Sequence, residues 1–129
     1  DAIGDFWLYD YFPRIAERDA KRFPSIDTVA QTLGGDVRVE VVPIPHDCRD
    51  GFLAAYWRRP SSYLARHVRR NISTLAAVDD DELLDGLARL SDDLRSGAWE
   101  RAHSWLSRRD ELDLGYRLVV AEYGDPTTN

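Results

Sequence analysis

The sequence has no methionine, one cysteine and no long apolar run. A single thiol, Cys48, cannot close an internal disulfide, so the fold must rest on packing, and a reducing, cytoplasmic setting is expected. Apolar stretches are short and broken by charge, so none approaches the ~20 residues of a membrane-crossing helix, and no membrane partner is expected. The first residues show neither a basic n-region nor an apolar h-region. The missing Met, at position 1 included, leads to the expectation that the chain has been cut or processed, either by removal of an initiator Met or from a larger protein that begins upstream. Positive charge is also in deficit, with 17 Lys and Arg against 23 Asp and Glu and a net charge of −6. That balance opposes bulk attraction to a phosphate backbone, so nucleic acid is disfavoured as a partner.

What is present suffices for one small domain over residues 1–129, with 43% hydrophobic residues and four Trp available for a core. Pro13 suits a first helical turn after the aromatic run Phe6 to Phe12, and Ile15, Ala16, Ala20 and Phe23 continue at helical spacing. Ser25 can cap a second helix that ends at Gly34-Gly35. Asp36–Ile44 alternates as a strand, with Val37, Val39 and Val41 on one face, until Pro43 and Pro45 stop it. A loop His46–Gly51, a short helix Phe52–Arg59 and a longer one from Ser61 or Ser62 to Ala77 are expected next. Asp79–Leu94 predicts a strong helix with acids at its start, where the macrodipole favours them, and Leu83, Leu84, Leu87, Leu90 and Leu94 on its apolar face. A helix Ala98–Ser107 and a second strand Leu112–Tyr123 follow, then a polar tail. Two strands about 70 residues apart are marginal alone. The sequence therefore predicts one flank of a larger sheet, or a protomer completing its sheet with a second copy.

The densest chemistry lies in His46-Asp47-Cys48-Arg49-Asp50, just after a strand, where open α/β sheets bind ligands. His46 or Asp47 suits a general base. The plainer alternative is that both fix the loop through backbone hydrogen bonds. Cys48 is either a reactive thiol or, by the burial habits of free Cys, a small packed residue. Tyr56 and Trp57 would wall a pocket or belong to the core. Arg58, Arg59, Arg66, Arg69 and Arg70, with His67, form a run without an acid that reads as a solvated helix face rather than a nucleic-acid contact. The three His are far apart and unpaired with Cys, so no metal site is predicted.

Several stretches taken in order resemble the C-terminal part of actinobacterial class I S-adenosylmethionine (SAM)-dependent methyltransferases. Val42-Pro43-Ile44-Pro45-His46-Asp47-Cys48 followed by Asp50-Gly51-Phe52 is the most specific. Asp10-Tyr11-Phe12-Pro13, Phe23-Pro24-Ser25, Tyr56-Trp57-Arg58-Arg59-Pro60 and Leu112 through Ala121 extend it over nearly the whole chain. The resemblance implies an α/β fragment, mostly helical, carrying the last two strands of a Rossmann-like sheet (Val37–Val42 and Leu114–Ala121, the final one antiparallel) with a helical lid between them. It implies His46 and Asp47 as catalytic candidates, and Cys48, Asp50, Tyr56, Trp57 and Arg58 as contacts to a small-molecule methyl acceptor. Arg49 stands where the family carries Thr, and Ser62 near where it carries an acid. The family's Gly-rich SAM loop has no counterpart: Gly34-Gly35 follows a helix and precedes a strand, the reverse of the required order. SAM is thus the implied cofactor of the parent enzyme, with its site expected upstream and no cofactor-binding residue in this chain. The chain alone is expected to be inactive, and its partner is the missing N-terminal half or a second copy. A non-enzymatic helical binding or dimerisation module is the alternative.

Overall fold

The computed structural model describes residues 6–22 and 24–124, without the side chains of 20 and 22. The expected roles of Ala20 and Phe23 and the tail beyond Gly124 lie outside the described residues. The aromatic run folds as a 3-10 turn, Trp7–Asp10, whose residues Trp7, Leu8 and Tyr9 are buried. Trp7 meets Tyr63, Trp99 and Tyr11 edge-on at 5.7, 5.2 and 6.1 Å, the T-shaped geometry that aromatic quadrupoles favour. Pro13 opens helix α1 (Pro13–Arg22), where its absent N–H would have had no helical partner. Ser25 caps α2 (Ile26–Leu33) by accepting the Thr28 N–H at 3.1 Å, and Gly34 ends it at φ +66°.

Strand β1 (Asp36–Val41) runs antiparallel to β4 (Arg117–Glu122), with Val39 opposite Val119. The two expected long strands are each divided. Pro43 separates β1 from the short β2 (Ile44–Pro45), and Gly115, at φ +92°, separates β3 (Glu111–Leu112) from β4. β2 and β3 pair with each other, so two small two-stranded antiparallel sheets replace one ribbon.

Residues 53–58 form turns, where a helix was expected. Their backbone bonds close at i+3: Ala55 N–H to Phe52, Trp57 N–H to Ala54, Arg59 N–H to Tyr56. The Leu53 and Ala55 carbonyls, which an α-helix would offer four residues on, are taken by the Tyr63 hydroxyl (2.6 Å) and the Arg59 Nη2 (3.0 Å). The single helix expected to Ala77 is likewise a 3-10 segment Pro60–Leu64, α3 (Arg66–Arg70) and α4 (Ser73–Ala76), broken at extended Ala65 and Ile72. The break has a packing reason. Nine residues turn a helix through about two and a half turns, so an unbroken helix would put Tyr63 and Ile72 on opposite faces. Both are buried instead.

α5 (Asp80–Ser96) starts with Asp80, Asp81 and Glu82 in its first turn and ends at Gly97, at φ +83°. Leu90 is buried and Leu83, Leu87 and Leu94 pack against the core, whereas Leu84, expected on the apolar face, is 67% exposed. α6 (Ala98–His103) passes into a 3-10 turn, Ser104–Arg108, that buries Leu106 and exposes Trp105. The core is built from the helical segments and the 44–64 stretch, and β1, β4 and α2 contribute no residue to it.

His103 sits against this core, its ring 5.2 Å from Trp99 and 6.1 Å from Trp7. Burial pushes its pKa below the ordinary 6.5, opposed in part by Asp10. Because the folded pKa is the lower one, the unfolded chain takes the proton first. Stability is therefore intact above the unfolded pKa of about 6.5 and falls as pH drops below it, until the folded pKa is passed. Thermal melts should show a loss over this window that a His103→Phe variant largely lacks.

Candidate functional site

The candidate site is the loop His46–Gly51, carried out of the core by β2. Its position is set at both ends. The His46 N–H donates to the Asp110 carbonyl at 2.8 Å, prolonging the β2–β3 pairing. Beyond it, the Cys48 N–H closes a turn on Pro45 at 3.3 Å, and the Cys48 thiol points at the Asp50 carbonyl at 3.8 Å. Arg59 then clasps the loop. Its Nη2 donates to the Cys48 carbonyl at 2.9 Å and to Ala55, while the guanidinium lies 4.7 Å over the Tyr56 ring. The Tyr56 hydroxyl stands beside Gly51, where an added Cβ would lie 3.5 Å from it. Tyr63, fully buried, packs edge-on to Tyr56, accepts the Tyr56 N–H at 3.3 Å and donates to Leu53. Burial pushes the Tyr63 hydroxyl far up, so it is a permanent donor.

The predicted residues separate under this geometry. Cys48 and Tyr56 are half-buried and meet through Arg59, with Cys48 packed partly against the core. His46 is half-buried and Asp47 and Asp50 are exposed. Among the described residues, neither the His46 nor the Asp47 side chain makes a hydrogen bond or ion pair, so the loop is fixed by its backbone and by Arg59 instead. Trp57, read as pocket wall or core, is wholly buried, and its Nε1–H donates to the Ile44 carbonyl at 2.9 Å. Its own carbonyl accepts Trp7 Nε1–H at 2.8 Å. Arg58 reaches back to the Arg109 carbonyl at 3.2 Å. Phe52 and Tyr116 form an edge-on pair, at 5.6 Å, on the sheet side.

Arg59 and Tyr63 are the organising residues that the sequence did not single out. Nothing local marks them, since their partners are carbonyls from 4 to 11 residues away. The arginine run is also not one face: Arg59 turns inward, Arg69 donates to the Tyr63 carbonyl at 3.0 Å, and α3 is only five residues long.

No group of His, Cys, Asp and Glu among the described residues is arranged to hold a metal ion. Nor does the Gly34-Gly35 turn offer SAM a cradle. The one glycine pair joins α2 to β1, and a Cβ at Gly35 would lie 2.8 Å from the Glu122 carbonyl, so its backbone faces β4 rather than an open cradle. A cleft of about 400 Å³ opens elsewhere, lined by residues of α1 and α5 such as Arg14, Glu82 and Arg89 and by no residue of the loop. No described helix is long and apolar enough to cross a membrane.

Neither a protein-family model nor a curated protein matches the chain. A solved structure does. It comes from Anabaena variabilis ATCC 29413 and is assigned, provisionally, as a methyltransferase from an antibiotic biosynthesis pathway. The two chains share 38% identity with a TM-score of 0.85 over 92% of this chain, which spans 49% of the Anabaena protein. The chain thus has the mixed helical and sheet fold of about half of a methyltransferase-like protein.

Proposed function

We propose that the chain is the C-terminal, substrate-side part of a SAM-dependent methyltransferase acting on a small molecule. The observation that carries this reading is the match to the Anabaena protein: nearly all of this chain corresponds to about half of that one. The antiparallel pairing of β1 with β4 agrees with two last strands of a methyltransferase sheet, the final one reversed. The helices between them, packed on the 44–64 stretch, are read as the lid.

The chain's own contribution to the reaction is to hold the acceptor and remove its proton. His46 is the better placed base, half-buried at the loop and with its side chain uncommitted. Asp47 is the second candidate. Either would accept a proton from the acceptor heteroatom as that atom becomes a nucleophile. Tyr56 offers a ring face and hydroxyl beside Gly51, and Cys48, Asp50 and Arg58 border the same loop. Trp57 supports this wall from behind and does not touch the acceptor. The residues that would hold SAM and supply its methyl group are read as lying in the other half of the parent enzyme.

Calorimetry tests the reading. SAM should release no binding heat with this chain alone and should bind once the other half of a methyltransferase is joined to it. Tight SAM binding by the isolated chain would overturn the proposal, and so would an encoded upstream region lacking a strand, Gly-rich loop and helix.

A further inference from the structure

We infer that Asp50-Gly51, in the candidate loop, is a site of spontaneous succinimide and isoaspartate formation, a modification that needs neither SAM nor the other half of a methyltransferase. The chain carries its own control. Asp-Gly occurs twice, at 50–51 and at 85–86, and the fold treats the two pairs oppositely.

The chemistry is an intramolecular acyl substitution. The Gly51 backbone nitrogen attacks Cγ of the protonated Asp50 carboxyl, and a C–N bond forms. The hydroxyl of that carboxyl and the proton of the Gly51 N–H leave together as water. The five-membered imide then takes up one water. Opening at the side-chain carbonyl restores aspartate. Opening at the backbone carbonyl breaks the original peptide bond, so the chain runs on through the side chain and Asp50 keeps a free α-carboxylate. Water is the one co-reactant. The step needs the nitrogen and Cγ to reach a near-attack geometry, an amide free of other bonds, and little bulk on the following residue. Glycine meets the last condition, having no Cβ to crowd its nitrogen.

Asp50 and Gly51 meet the others. Both are exposed and lie outside any helix or strand. Among the described residues the Asp50 carboxylate makes no hydrogen bond or ion pair, and the Gly51 N–H finds no acceptor. The Cys48 thiol, 3.8 Å from the Asp50 carbonyl, is a weak restraint. Firm anchors lie on either side: Arg59 holds the Cys48 carbonyl, and the Phe52 carbonyl accepts the Ala55 N–H. Residues 49–51 are the free span between them.

Asp85 and Gly86 meet none. Both lie inside α5, where the Gly86 N–H is directed to the carbonyl four residues back. The Asp85 carboxylate accepts Arg89 Nε–H at 3.1 Å, which draws it toward the next turn and away from Gly86. Gly86 is buried against Phe12, where even a Cβ would lie 2.3 Å from the ring. Its backbone cannot buckle into an imide without parting α5 from the aromatic core.

Isoaspartate adds one methylene to the backbone between two held points, so the loop must bulge at Asp50. The modification therefore reshapes the candidate site and leaves the core alone.

The test is prolonged incubation of the chain in warm neutral buffer, followed by digestion with a protease that cuts before aspartate and not before isoaspartate. A peptide of unchanged mass, uncut at 50, should accumulate while cleavage at 85 persists. Methylation by an isoaspartate-specific carboxyl methyltransferase should rise in step. Gly51→Ala should slow the conversion more than about fivefold. Its Cβ would lie 3.5 Å from the Tyr56 hydroxyl, an ordinary contact, so this variant keeps the fold. In concentrated urea the two Asp-Gly pairs should convert at comparable rates. No conversion at 50, or equal conversion at 85 in the folded chain, would overturn the inference. So would a preference for 50 that urea leaves undiminished, since the fold would then not be its cause.

Discussion

Trp57→Ala is expected to lower the unfolding free energy by about 3–5 kcal/mol, a large part of the ~5–15 kcal/mol typical of a domain. The indole is wholly buried, and its removal leaves a cavity between the 3-10 segment at Trp7 and the strand β2. It also strips the Ile44 carbonyl of its donor. Ile44 is itself buried, so that carbonyl has little access to replacement water. Trp57→Phe retains most of the volume and loses only the N–H, for an expected cost of about 1–3 kcal/mol. Urea unfolding followed by circular dichroism measures both. A pocket-wall Trp with an open face would behave differently, since its replacement at the surface would cost less than about 0.5 kcal/mol. A small effect of Trp57→Ala would therefore favour the pocket-wall reading over the core one. The consequence reaches the loop as well, because β2, which Trp57 holds at Ile44, leads directly into His46.

The same residue shows what could be read from the chain and what could not. Elements with a local cause were legible. Pro13 and Ser25 announce helix starts, Gly34 announces an end, and period-two alternation announces β1. The 53–58 turns were not legible, because the competition for the Leu53 and Ala55 carbonyls comes from a hydroxyl and a guanidinium that only the fold brings near. The broken helix after Pro60 was hidden for the same reason: Leu64, Val68, Ile72 and Leu75 keep helical spacing on paper, and only Tyr63's burial forces the breaks. The loop at His46–Gly51 was legible from Pro43 and Pro45, which stop the strand before it. Its clasp by Arg59 was missed because that arginine sits in a run of like charges, and a run of charge ordinarily means a solvated face. The exposed ribbon, by contrast, was anticipated from two apolar strands too few to make a sheet.

Gly86→Ala reverses an ordinary expectation. In the interior of a helix such as α5, exchanging glycine for alanine usually stabilises by up to about 1 kcal/mol, since the unfolded chain loses freedom and nothing else changes. Here the added Cβ would meet Phe12 Cε1 at 2.3 Å, Phe12 Cδ1 at 2.7 Å and the Tyr11 carbonyl at 2.7 Å. These separations lie far inside van der Waals contact. Phe12 cannot yield, because it has no exposed surface and its neighbours fill the space around it. The backbone at Tyr11 is no freer. Arg89, one turn further along α5, donates to the Tyr11 carbonyl at 2.9 Å and to the Asp10 carbonyl at 3.1 Å, while the Tyr11 hydroxyl donates to Asp93 at 2.6 Å. Relief therefore requires α5 to shift away from the aromatic segment, which would stretch all of these contacts together. The expected result is a loss of about 2–3 kcal/mol, at the upper end of overpacking costs, with the helical gain offsetting only part of it. Gly86→Ser should behave no better. A thermal melt showing Gly86→Ala as stable as the parent would mean that α5 and the 6–12 segment are not in the close contact described, and with it the placement of α5 on the aromatic core would fall.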